Sequence, residues 1–257
     1  MITKSELISI ARLKGISNIG YAEKDYLLDL ALFLLCKNMK QELIFKGGTA
    51  LYKIYKFERF SEDLDFSEIK TISIDLLMKK IISDLSKFGI EAEISRMKEP
   101  FNSVLITLKA KGPLYDGRPQ TLASIRIDIN RKSKIELETF RSRIASIYTE
   151  IPQFDILVMQ EKEILAEKIR AIMTRNKARD LYDAYFLMRK NVDLDLKLVN
   201  KKLEYYKIKF DKKRFMESVG NKRGIWVPEL NPLIIGELPD FKEVEKYIFK
   251  KIKDISD

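Results

Sequence analysis

The sequence predicts an α+β fold in which a sheet flanked by helices is followed by a mostly helical C-terminal region. Three observations carry that expectation. Apolar residues recur on a helical period through most of residues 3–40 and 156–190. Between those stretches the period falls to two. The cleanest case is residues 124–130, where Ile125, Ile127 and Ile129 take one face and Arg126, Asp128 and Asn130 the other. Finally, Ile151-Pro152 marks a boundary, so residues 1–152 are expected to form one domain and 153–257 a second, mainly helical one.

Taken in order, Thr3 or Ser5 caps a first helix with Glu6 in its first turn, and the stretch 14–18 breaks it. A second helix over about 22–39 carries Tyr26, Leu27, Leu30, Ala31, Leu34 and Leu35 on one repeat and should cover a face of the sheet. Leu43, Ile44 and Phe45 read as a strand running into Gly47 and Gly48, after which Thr49-Ala50-Leu51 opens a helix. Residues 61–66 read as a second strand. A helix over 74–88 has an apolar stripe of Ile74, Leu77, Met78, Ile81, Ile82 and Leu85, and Gly89 stops it. Strand-like runs follow at 91–95, 103–109 and 124–130, the last two separated by a turn-rich loop at 111–119. Beyond 190, weaker Lys-rich helical patterns fill 192–218, residues 222–239 read as irregular, and a last helix covers about 241–252.

Composition narrows the chemistry. The chain has no histidine and one cysteine. That excludes a Ser-His-Asp or Cys-His engine, a disulfide framework and a structural zinc site. Cys36 reads as a small buried residue rather than a reactive thiol. Catalysis must run on carboxylates, Lys, Arg, Tyr and a hard metal. No apolar run reaches membrane-spanning length, the best candidate (27–35) being broken by Asp29, and the first residues lack a signal-peptide pattern. A cytoplasmic protein without a membrane partner is expected. The net charge of +10 favours a polyanionic partner, nucleic acid foremost, although a Lys-rich surface also serves solubility.

The stretch 43–66 concentrates the informative residues. Gly47 and Gly48 let the backbone turn sharply and approach a ligand closely, and the helix start behind them presents unpaired N–H groups suited to phosphate. Along the strand that follows, Asp63 and Asp65 point to one face while Leu64 and Phe66 point to the other. Two adjacent carboxylates repel unless a divalent cation sits between them. Asp128, on the polar face of 124–130, adds a third acid, in a sheet that could neighbour the one carrying Asp63 and Asp65. A site for a nucleoside triphosphate and a metal follows.

A second constellation lies in 161–189. On one continuous helix, Lys168, Arg175 and Arg179 fall near one face with Asp183 close by, a row suited to phosphates. From spacing alone the simpler reading is a solvated face with pairs such as Arg179–Asp183, from which a lysine can be removed without cost to the fold. Leu165, Ile169, Ile172, Leu181, Ala184 and Leu187 read as core, and Trp226 as a packing residue.

Together, Lys46-Gly47-Gly48-Thr49-Ala50-Leu51, then Arg59-Phe60-Ser61-Glu62-Asp63-Leu64-Asp65-Phe66, then Lys168 through Arg179-Asp180-Leu181-Tyr182-Asp183, resemble the AbiEii/AbiGii toxin family of nucleotidyltransferases, within the DNA polymerase β-like superfamily. The resemblance covers roughly residues 25–190. It implies a minimal nucleotidyltransferase fold, a mixed sheet flanked by helices, with a helical C-terminal domain closing the cleft. It implies Mg²⁺, a nucleoside triphosphate donor, RNA acceptors such as tRNA 3′ ends, and a toxin role beside a cognate antitoxin. By motif, Gly47, Gly48, Thr49 and Ser61 would hold the triphosphate, and Asp63, Asp65 and Asp128 the metal. Lys168 and Asp183 would join the three acids as catalytic residues, supported by Arg175, Arg179 and Asp180. Transfer to a small molecule or a protein hydroxyl, or a non-catalytic binding module, are the alternatives the same fold allows.

Overall fold

The computed structural model describes residues 1–39, 41–100, 102–131 and 134–254; residue 40, the last of the expected N-terminal helical stretch, and residues 255–257 of the expected second domain lie outside them. The chain divides into two compact units, residues 1–56 with 60–159, and residues 57–59 with 160–257.

The first unit begins with α1 (Lys4–Leu13) and α2 (Ile19–Asn38). Thr3 caps α1 through a capping box with Glu6, and Asn18 caps α2. The second helix is not a one-sided stripe. Leu27, Leu28, Leu30, Leu32 and Leu34 are all fully buried, so apolar residues wrap the whole helix. It packs against α1, against β5 (Ala123–Asn130) and β7 (Phe154–Val158) of the sheet, and against α4 (Ile74–Lys87). Its three buried acids are compensated, Glu23 by the Leu114 N–H at 2.6 Å and the other two by cations. Asp25 receives Lys14 at 2.5 Å, Lys53 at 3.0 Å and the Tyr148 hydroxyl at 2.9 Å; Asp29 pairs with Lys53 and accepts the Ser146 hydroxyl at 2.7 Å.

The sheet is mixed and seven-stranded, completed by β1 (Leu43–Lys46), β2 (Asp63–Glu68), β3 (Ala92–Lys98), β4 (Ser103–Ala110) and β6 (Phe140–Ile144). Its order is β3-β4-β5-β2-β1-β7-β6, with β2–β5 and β1–β7 parallel and the remaining pairs antiparallel. Ile125, Ile127 and Ile129 are buried as their alternation requires. Helix α3 (Gly47–Lys53) follows β1 directly.

The stretch after Pro152 differs from expectation. Residues 156–160 are not helical: 154–158 form β7, between β1 and β6. The first compact unit runs on through β7 to Met159.

The second unit holds α5 (Glu161–Thr174), α6 (Ala178–Arg189), α7 (Leu196–Glu204), α8 (Lys212–Gly220), α9 (Trp226–Leu230) and α10 (Phe241–Lys253). Leu165, Ile169, Leu181, Ala184 and Leu187 are fully buried and Ile172 nearly so. Trp226 is buried and its Nε1 donates to the Pro239 carbonyl at 2.9 Å. In the stretch read as irregular, Lys222 is buried and its ammonium donates to the carbonyls of Ile172, Arg175 and Ser218 at 3.0, 3.3 and 3.0 Å. Those carbonyls lie in or just past the last turns of α5 and α8, where helix carbonyls run out of helical donors, so the lysine takes the place of a cap. Burial pushes its ammonium below the usual lysine range. Among the described residues no helix is long and apolar enough to cross a membrane.

Candidate active site

The β1–α3 turn is built around one close approach. Gly47 sits at φ +71°, a left-handed conformation that side chains disfavour. A Cβ on Gly47 would lie 2.8 Å from both Cβ and Cγ of Asp65 and closer still to Oδ2, so glycine is the residue that lets Asp65 pack over the turn. Lys46, directly before it, stands opposite Asp65 in the antiparallel register of β1 and β2. Thr49 is fully buried and its hydroxyl donates to the main-chain carbonyl of Asp63. That hydroxyl ties α3 to β2 and spends its proton there, which leaves its oxygen as an acceptor. Ser61 is buried just ahead of β2, and Glu62 beside it pairs with Lys24 at 2.6 Å.

Along β2, Leu64 and Phe66 are buried and Asp63 and Asp65 are half-buried, as the alternation predicts. Parallel pairing with β5 sets Asp63 beside Arg126 and Asp65 beside Asp128. The three expected acids thus share one face of two adjacent strands. Oδ1 of Asp63 is buried and makes no hydrogen bond; the Arg126 guanidinium stands 3.5 Å from it. Among the described residues no three His, Cys, Asp or Glu side chains are gathered closely enough to hold a metal ion as they stand. The convergence of Asp63, Asp65 and Asp128 is one of face and register rather than a ready-made cluster. The donor set nevertheless fits a hard divalent cation: it is all carboxylate, and one buried oxygen has unused accepting capacity.

The second constellation is neither solvated nor on one continuous helix. Helix α5 ends at Thr174 and Arg175 is extended, at φ −148° and ψ 157°. Lys168, 8% exposed, places its ammonium 2.8 Å from Asp183 and 3.3 Å from Asp180, and both acids are fully buried. Arg59 holds Asp183 bidentately through Nε at 2.7 Å and Nη2 at 2.9 Å. Arg175 holds Asp180 in the same way, through Nε at 2.7 Å and Nη2 at 2.9 Å. Burial works against both carboxylates. Arg59 and Lys168 outweigh it for Asp183, and Lys168 and Arg175 for Asp180, so both acids stay below the usual carboxylate range. Arg179 stands 4.0 Å from Glu229 and adds a lesser attraction to Asp180.

Arg59 and Arg126 were given no role from the sequence. Arg126 sits on the polar face of its strand and Arg59 within the motif 59–66, but no local signal marks Arg59 as reaching an acid 124 positions away. Cys36 is half-buried, and burial pushes its thiol up to about 12, so it is a packing residue as expected.

A family model, described as the nucleotidyl transferase AbiEii toxin of type IV toxin–antitoxin systems, matches residues 30–246. The chain belongs to this family and is a nucleotidyltransferase. The fold is shared with MenT4, a nucleotidyltransferase toxin of Mycobacterium tuberculosis H37Rv, at a TM-score of 0.67 and 20% identity, over 100% of this chain and 91% of that one. It is shared also with JHP933 of Helicobacter pylori, at a TM-score of 0.58 and 19% identity, over 93% of this chain and 92% of that one. No curated protein matches.

Proposed function

We propose that the chain is a Mg²⁺-dependent toxin that transfers a nucleoside monophosphate from a triphosphate to the 3′-terminal hydroxyl of an RNA, with tRNA the leading acceptor, and that a cognate antitoxin restrains it. The observation that carries the reading is the packing of Asp65 over Gly47 beside an Asp63 oxygen that is buried without a hydrogen bond. Two adjacent carboxylates, one with a buried oxygen that has accepting capacity to spare, suit a site that gains its cation with the substrate. Asp63 and Asp65 would hold the ion with Asp128 alongside, and the bound ion would lower the pKa of the attacking hydroxyl and neutralise phosphate charge.

The main-chain N–H groups of Gly47, Gly48 and Thr49 approach the phosphates, and Ser61 stiffens the entry to β2. The acceptor hydroxyl attacks the α-phosphate, the bond to the bridging oxygen breaks, and pyrophosphate leaves. Asp128 orients the incoming hydroxyl. Lys168 and Asp183 act as positioning residues through Arg59, which heads the segment running into Phe60–Asp63. Arg175 is the half-exposed cation of that set, shared with Asp180, and Arg179 adds charge nearby in sequence. The net charge of +10 supports a polyanionic acceptor over a small molecule.

The test is incubation with total RNA, Mg²⁺ and each labelled triphosphate in turn, followed by sequencing of RNA 3′ ends. Added nucleotides on discrete RNAs, lost in Asp65→Asn, are expected. Label recovered only in small molecules or protein would overturn the acceptor, and no transfer at all would overturn the reading.

A further inference from the structure

The connection between α7 and α8 presents two aromatic rings to solvent in the most basic stretch of the chain. Residues 197–214 carry eight Lys or Arg against two acids, Glu204 and Asp211. Within it Tyr205 and Tyr206 are 57% and 42% exposed, at the C-terminal end of α7. Their rings meet edge to face, 5.2 Å between centroids. The Arg170 guanidinium, from α5, lies 5.2 Å from the Tyr206 ring centroid and donates to its hydroxyl at 2.8 Å.

The loop is fixed rather than loose. Tyr206 N–H donates to Leu203 and Lys207 N–H to Glu204, at 2.8 and 2.9 Å. Lys207 takes a left-handed φ of 54°, and Phe210 N–H donates to the Asn200 side chain at 2.8 Å. Lys197, Lys201, Lys207, Lys209, Lys213 and Arg214 are exposed around it. Adjacent exposed rings give this unit no core, and a purely solubilising surface has no use for them. Rings flanked by cations are what unpaired bases stack on while the lysines follow the phosphates.

We infer that Tyr205, Tyr206 and Arg170, with the lysines around them, form a docking platform for single-stranded RNA, outside the transfer chemistry. The inference rests on the RNA-acceptor reading and assigns it a surface.

Fluorescence anisotropy with a labelled single-stranded RNA, across a salt series, tests it in the full chain. Tyr205→Ala/Tyr206→Ala is expected to weaken binding about tenfold or more at unchanged salt slope, because stacking releases no counterions. Tyr205→Phe/Tyr206→Phe should retain most of the affinity. Lys207→Gln/Lys209→Gln should weaken binding and flatten the salt slope. Triphosphate binding by these folded variants should match the parent. Equal RNA affinity in the parent and the double alanine variant overturns the platform while leaving the RNA acceptor standing. A parent chain that binds no RNA overturns both.

Discussion

Asp63 and Asp183 are both acids held inside a folded unit, and the two units treat them oppositely. Asp183 is saturated: Arg59 grips both its oxygens and Lys168 adds a third contact, with no exposure. Asp63 keeps a buried oxygen without a hydrogen bond, and its nearest cation, Arg126, stands off at 3.5 Å on a half-exposed side chain. A buried charge whose partners are all internal specifies the fold, and acts on the chemistry only through those partners. A charge left partly unmet stores an interaction for a ligand. The sequence motifs present both as phosphate-handling groups; the surroundings separate them.

The largest effect follows from the saturated side. Asp183→Ala leaves Arg59 and Lys168 buried without their carboxylate, and is expected to cost about 3–5 kcal/mol, enough to threaten folding of the second unit. Lys168→Ala should cost less, because Asp183 keeps Arg59 and Asp180 keeps Arg175. Lys168→Met, which fills the space, should be milder still. Urea melts followed by the fluorescence of Trp226, the single tryptophan and a residue of that unit, read all three. Equal stability of Asp183→Ala and the parent would break the comparison.

Acid should reveal the same asymmetry. Asp183 and Asp180 bind protons more weakly in the folded chain than in the unfolded one. Their stabilisation is therefore complete above about pH 4, the unfolded carboxylate range, and is lost as pH falls through the folded values. Asp25, with burial outweighed by Lys53 and Lys14 and its carboxyl brought from 3.8 to about 2, adds the same slope in the first unit. Asp183→Asn should start less stable at neutral pH yet lose less on going from pH 4 to pH 2. Parallel pH profiles for parent and variant would remove the cluster from the acid response.

These particulars also mark what the sequence could carry. The strand at 124–130 and the glycine turn were legible because alternation and φ-permissive residues are local signals. Asp63, Asp65 and Asp128 were legible as acids sharing a polar face, since pleating fixes which side they take. Strands β6 and β7 were not, because 154–158 is a short apolar run whose pairing with β1 is made across the chain. Nor was the end of α5: Arg175-Asn176-Lys177 contains neither Gly nor Pro, and the break is held by Arg175–Asp180 and by Lys222 on the last carbonyls. Charged residues that turn inward to meet partners far along the chain look like surface when read locally.

Gly47→Ala sharpens the contrast at intermediate size. A left-handed φ costs a non-glycine residue about 1–3 kcal/mol, and here the new Cβ also strikes Asp65. Gly89→Ala is the control, at φ +75° with nothing nearer than the Met1 Cβ at 3.7 Å. Both variants should lose stability in melting experiments, Gly47→Ala more. Only Gly47→Ala should lose nucleotide transfer, because only there is an acid of the site displaced. Loss of transfer in both would trace the effect to strain alone.

The smallest expected change in stability accompanies the largest change in activity. Asp65→Asn keeps the shape that packs over Gly47 and removes one of two adjacent negative charges, so its melting should stay within about 0.5 kcal/mol of the parent. Transfer should fall about a hundredfold or more, as when other preorganised charge is removed from a transition state. A readout independent of turnover comes from linkage. A ligand that binds only the folded chain stabilises it by RT ln(1 + L/Kd), where L is its free concentration, and so raises its melting temperature. The parent should therefore be stabilised by Mg²⁺ with a non-hydrolysable triphosphate, Asp65→Asn much less, and Lys168→Met as fully as the parent. If Asp65→Asn instead loses several kcal/mol of stability without ligand, then Asp65 belongs with Asp183 as a structural charge and does not bind the cation. If it keeps both its fold and its ligand response, the cation is held elsewhere on the strand face, with Asp63 and Asp128 the next substitutions to make.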